Sequence, residues 1–178
     1  MDQVETWSTA RLSWRVGCTH RLNQVWSMDF MPDQLVSGKT ICTFNVIDNY
    51  NREGLGIEVD LSLPSVGVIR ALEQMIQWRG KPAALRCDNG PEYLSQMLVD
   101  WASRYHITLL YIQPGKPTQN AYIERISRAT RHEWLDMHQF ESIAHAQLLA
   151  TQWLWHYNNE RPNMALNGIT PMMKLSAA

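Results

Sequence analysis

Three carboxylates, Asp29, Asp88 and Glu124, stand with 58 and then 35 residues between them. Their surroundings are specific. Asp29 lies in Trp26-Ser-Met-Asp29-Phe30, and Asp88 opens Asp88-Asn-Gly-Pro-Glu92 after the apolar run 83–87. Glu124 closes Pro114-Gly-Lys-Pro-Thr-Gln-Asn-Ala-Tyr-Ile-Glu124, a Pro- and Gly-rich loop running into a helix. A carboxylate on a strand, one at a strand end and one near a helix start suit a phosphoryl-transfer site built on two magnesium ions. Two divalent ions about 4 Å apart activate an attacking oxygen and stabilise charge on the leaving oxygen. Magnesium is content with few carboxylates and keeps positions for water and substrate. Stripped of context, the same residues are a surface carboxylate, a turn Asp and a first-turn Glu favoured by the helix dipole.

The elements that must position these groups follow from the hydrophobic pattern. Residues 24–30 read as a strand with Trp26, Met28 and Phe30 on one face and Val25, Ser27 and Asp29 on the other. Residues 40–47 are apolar on both faces, hence central, and 55–61 alternate strictly, as a half-solvated strand does. Short connections make these three an antiparallel meander. A helix from Ser65, as N-cap, runs to the stop at Gly80-Lys-Pro82. Residues 83–87 form a fourth strand ending at Asp88. A helix over 92–105 follows the Gly90 turn, with Pro91 at its first position. Residues 106–112 form a fifth strand. The Glu124 helix, with Thr118 or Asn120 available as N-cap, runs to about 138, and a last helix spans about 141–157. The order βββαβαβαα gives an α/β domain, a mixed five-stranded sheet flanked by helices.

Composition narrows the setting. The 178 residues suit one domain, with 1–22 as a polar arm of unknown role and 23–178 as the core. No apolar run approaches the roughly 18 residues that span a bilayer. Three scattered cysteines without a CxxC pair read as reduced thiols of a cytoplasmic protein, and the six histidines lack metal-site spacing. A net charge of -1 argues against strong non-specific DNA binding by this chain alone.

These blocks resemble the catalytic core shared by retroviral integrases and bacterial insertion-sequence transposases, a ribonuclease-H-like fold. The resemblance covers about residues 23–175. It rests on the blocks around Asp29, Asp88 and Glu124-Arg125, on Val46-Ile-Asp48, on Tyr157-Asn-Asn-Glu-Arg-Pro162 and on Thr170-Pro171. It implies a DDE-type transposase/integrase performing two-metal DNA cleavage and strand transfer with Mg2+ or Mn2+. By the family's pattern Asp29 bridges both ions, Asp88 completes one and Glu124 the other. Element ends and target DNA are the implied partners, with a homodimer or higher oligomer, in a bacterial cytoplasmic, nucleoid-associated setting. Three departures stand out. No upstream helical DNA-binding region is recognisable in 1–22, so end recognition falls to a further domain or partner protein. Ile126-Ser127-Arg128 replaces the family's aromatic and Asn before Arg, and Arg161-Pro162-Asn163 replaces Arg-Pro-His. The rival readings are a non-catalytic dimerisation or DNA-holding fragment and a ribonuclease-H-like nuclease.

Around the trio, Lys116, Asn89, Arg128 and Arg131 are candidate DNA contacts. Arg128 and Arg131 share a helix face with Glu124, and Arg128 could instead form an i,i+4 pair with it. Tyr122 could stack on a base or pack on the sheet. Asp48 is expected in a turn away from Asp29, and Glu92 is explained by the helix dipole in a first turn, with a supporting place beside Asp88 as the lesser reading. Asp33, Glu58 and Asp60 read as solvated. His156, Trp134, Trp153 and Trp155 read as core.

Overall fold

In the computed structural model, which describes residues 19–91 and 93–178, alternation along the first strands sets two packed layers against one sheet. Strand β1 (Val25–Gln34) pairs antiparallel with β2 (Thr40–Asp48), and β2 with β3 (Gly54–Asp60). Helix α1 (Ser65–Arg79) then crosses over so that β4 (Ala84–Cys87) lies parallel to β1 on its other side. Helix α2 (Gln96–Arg104) makes the next crossover to β5 (Thr108–Tyr111), parallel to β4. The sheet order is β3-β2-β1-β4-β5, the expected mixed five-stranded sheet. Helices α3 (Ala121–Glu133), α4 (Ile143–Asn159) and the short α5 (Pro171–Ser176) complete the chain.

Trp26, Met28 and Phe44 face α1 and α2, where Val68, Leu72, Leu98 and Trp101 close one core. Met31, Ile41, Ile47 and Ile57 face α3 and α4, with Ile123, Ile126, Ala146, Ala150 and Trp153. Asp29 sits on this second face, so α3 alone of the large elements can bring a side chain onto it from above. That placement decides the site.

Several expectations need correcting. Strict alternation in β3 is broken by a register shift opposite Val46 and Ile47, so Leu55 joins one core while Ile57 and Val59 join the other. The second helix begins at Gln96 rather than 92. The Tyr93 and Leu94 N–H groups first bond the Gly90 carbonyl in a turn, and the Ser95 hydroxyl then accepts the Leu98 N–H at 3.3 Å. Pro64 rather than Ser65 caps α1, and neither Thr118 nor Asn120 provides a side-chain cap for α3, which grows directly out of a 3-10 turn over Pro117–Asn120. The Glu124 helix ends at Glu133, short of 138. His156 is exposed and contacts Glu160 at 2.7 Å, and Trp155 is 58% exposed, unlike Trp134 and Trp153. Asp33 pairs with Arg131 at 2.8 Å, and Glu58 meets Arg70 at 3.4 Å. Glu92 and residues 1–18, most of the arm expected over 1–22, lie outside the described residues. No helix among the described residues is long and apolar enough to cross a membrane.

The free edge of β3 is covered by side-chain amides from α4. Gln147 accepts the Val59 N–H and donates to the Ile57 carbonyl, both at 2.8 Å. Three helical turns on, Asn158 accepts the Gly54 N–H and donates to the Gly54 carbonyl, again both at 2.8 Å. Each amide takes the place a neighbouring strand would hold, which blunts an otherwise open edge.

Candidate active site

The parallel register of β1 and β4 pairs Ser27 with Arg86. Continued by two residues, it sets Asp29 beside Asp88. Asp88 stands just past the last β4 residue, and its Oδ1 accepts the Gly90 N–H at 2.8 Å, an Asx turn that holds the carboxylate at the exposed strand end. Helix α3 crosses this edge. Ser127 donates its hydroxyl to Asp29 Oδ2 at 2.9 Å, and Glu124 lies one turn earlier on the same helix face. Glu124 and Asp88 are both exposed, whereas Asp29 is half-buried.

The electrostatics of Asp29 record what surrounds it. Burial is the main influence and pushes its carboxyl above the usual carboxylate range. The Ser127 hydroxyl pulls it down, the Asp88 charge pushes it up, the Phe30 N–H lowers it and the Glu124 charge raises it. Both partner carboxylates therefore act on Asp29. Among the described residues, however, no three acidic, His or Cys side chains close on a common point that could hold a metal ion. The donor set is entirely carboxylate oxygen, the chemistry a hard divalent cation prefers. Mutual repulsion in a half-buried setting is relieved by such a cation, so the residues fit the group.

The expected DNA contacts divide. Lys116 and Arg128 are exposed, and among the described residues Arg128 makes no ion pair, so the i,i+4 alternative with Glu124 is not formed. Arg131 is committed elsewhere: its Nη1 lies 2.8 Å from Asp33 Oδ2 and its Nη2 donates to the Pro32 carbonyl at 2.6 Å, tying α3 to the end of β1. Asn89 donates its side-chain amide to the Ile112 carbonyl at 3.0 Å and so braces the following loop. Tyr122 packs on the second core and carries the Arg52 guanidinium 3.4 Å above its ring centroid, which favours packing over a base-stacking role. Asp48 accepts the Asn23 and Tyr50 N–H groups at 2.7 and 2.8 Å, the turn role expected of it.

Sequence reasoning missed Ser127 as a contributor. The available signal was its position, three residues after Glu124, where the family's Asn is replaced. A hydroxyl there still reaches Asp29.

Profiles of the integrase core domain match residues 19–117 and 95–171. The chain is 42% identical over 149 residues to an uncharacterised 31.7 kDa protein of insertion element IS407 from Burkholderia multivorans, covering 84% of this chain and 54% of that protein. It is 40% identical over 149 residues to an uncharacterised 39.2 kDa protein of IS476 from Xanthomonas euvesicatoria, covering 84% and 43%. The chain thus spans about half the length of the curated relatives it matches. Among solved structures, the HTLV-2 integrase catalytic core domain in complex with magnesium superposes with a TM-score of 0.66 at 21% identity, over 85% of this chain and 95% of that one. That likeness is one of fold.

Proposed function

The chain belongs to the integrase core domain family, and from that membership we propose that it is the catalytic core of a DNA transposase. The observation that carries the proposal is the bond from Ser127 of α3 to the half-buried Asp29, a carboxylate whose ionisation Asp88 and Glu124 both influence. In the proposed reaction, water attacks phosphorus at an element end. The P–O3′ bond breaks and a 3′-hydroxyl is released. That hydroxyl then attacks a target phosphorus, a new P–O bond forms and the target's own O3′ leaves. No covalent protein intermediate is needed.

Asp29, Asp88 and Glu124 would hold two divalent ions, Mg2+ or Mn2+. Such ions supply the charge that activates the attacking oxygen and stabilises the leaving one. Ser127 occupies one acceptor position of Asp29 and fixes that carboxylate against α3. Lys116, exposed on the loop before α3, and Arg128, exposed one turn after Glu124, are assigned to DNA phosphates. With a net charge of -1, these two give only local attraction, and a further domain or partner would supply recognition of the element ends. Strand transfer on oligonucleotides carrying element ends, in Mg2+ or Mn2+, tests the proposal.

One observation favours a second reading, a non-catalytic fragment that dimerises or holds DNA. Among the described residues the carboxylates do not close into a three-ligand group. Metal-dependent strand transfer by the wild-type chain excludes it.

Self-association belongs to both readings. Trp155 and Leu148 on α4 and Trp78 on α1 are each more than half exposed, at 58, 57 and 53%. Leu148 and Trp155, seven residues apart, share one face of α4, and that face is taken as the interface. Sedimentation is expected to give a mass near twice 20.6 kDa, and Trp155→Glu is expected to return the monomer. A wild-type chain that sediments as a monomer at tens of micromolar would contradict the homodimer.

A further inference from the structure

Arg86 is a charged side chain only 8% exposed, placed on β4 two residues before Asp88. Strand alternation puts the two on the same face of the sheet. Its Nη1 donates to the Gln119 carbonyl at 3.0 Å. Gln119 is the knot of the loop that leads into α3. Its Oε1 accepts the Gln113 N–H at 2.9 Å, and its own N–H donates to the Lys116 carbonyl at 3.1 Å. Five residues after Gln119 comes Glu124. At the other end of the same loop, Asn89 holds the Ile112 carbonyl. Two side chains flanking Asp88 thus grip both ends of the segment between β5 and α3.

We propose that Arg86 is a positioning residue that couples the strand bearing Asp88 to the helix bearing Glu124, setting the distance between those two carboxylates through the Gln119 carbonyl. The catalytic part rests on the function proposed above; the mechanical part does not. A buried guanidinium costs desolvation and is retained where its hydrogen bonds fix a geometry. Here that geometry joins two ends of the metal-binding trio that no backbone ladder connects, since β4 and α3 are separated by β5 and the loop.

The test uses the full chain with Arg86→Met, which removes the donor but keeps an unbranched stem, and Arg86→Lys, which keeps one donor. Hydrogen exchange without metal or DNA reads the coupling directly. In Arg86→Met, amides of 118–124 are expected to exchange about ten-fold faster or more, with β4 and β5 amides unchanged; Arg86→Lys recovers part of the protection. In strand transfer, kcat is expected to fall about 10- to 100-fold with KM for DNA within two-fold, the range for residues that orient metal ligands. Unchanged exchange over 118–124 in Arg86→Met overturns the coupling. Faster exchange with unchanged kcat overturns its role in positioning Glu124. If β4 and β5 lose protection too, Arg86→Lys decides: partial return of kcat with folded β4 and β5 upholds the proposal, and none overturns it. An inactive wild-type chain refutes the proposed function, while the exchange result still reads the coupling.

Discussion

Asp88→Asn and Glu124→Gln are each expected to abolish metal-dependent strand transfer while leaving the fold intact. Each change keeps side-chain size and removes the negative charge. Losing several kcal/mol of transition-state charge stabilisation, about 4 kcal/mol, corresponds to about 10³-fold in rate. The fold is expected to survive because both carboxylates are exposed. The Asx bond from Asp88 to the Gly90 N–H can be kept by the Asn oxygen, and Glu124 makes no ion pair among the described residues. Rates measured on a pre-cleaved oligonucleotide, with circular dichroism melts of each variant, check both halves. Full activity in either variant would remove that residue from the site. Loss of activity together with loss of folding would instead make it a structural residue.

Asn158→Ala is expected to cost the most stability of any single polar change outside that site. Its amide satisfies both the N–H and the carbonyl of Gly54, and both are buried. Truncation strands two backbone groups at about 1–3 kcal/mol each, about 2–6 kcal/mol together. For a domain of this length, at about 2–4 °C per kcal/mol, that lowers Tm by about 4–24 °C. Gly54 keeps this contact close, since a Cβ there would run into Leu154 Cδ1, which would have to shift. A urea melt of Asn158→Ala against Thr151→Ala, an exposed change on the same helix, makes the comparison. Equal stability of the two would show that water replaces the amide at no cost.

Much of this was legible in the order of residues. The five strands follow from apolar runs and periodicity and the meander of the first three from their short connections, although the strict alternation expected of β3 is broken by its register shift. Asp29 falls on the α3 side through the periodicity of β1. Bonds between groups far apart in sequence were not legible. Ser127 meets Asp29 across 98 residues, and Asn158 meets Gly54 across 104. A polar side chain carries no periodic signal for such partners. The block Tyr157-Asn-Asn-Glu-Arg-Pro162 carried part of the resemblance without an assigned role; in the fold Asn158 braces β3 and Arg161 forks onto Glu133 with bonds of 2.7 and 3.0 Å. Arg131 likewise shares a helix face with Glu124 but is drawn to Asp33 by an opposite charge that only the folded sheet brings near. Helix periodicity names a face; it does not say which neighbour has already taken the side chain.

Anomalous scattering from crystals soaked in manganese tests the central claim most directly. The account predicts a peak between Asp29 and Asp88, with Glu124 facing it, and loss of that peak in Asp29→Asn. Carboxylates that stay apart and bind no manganese, in crystals whose fold matches the one described, would contradict a metal-dependent core.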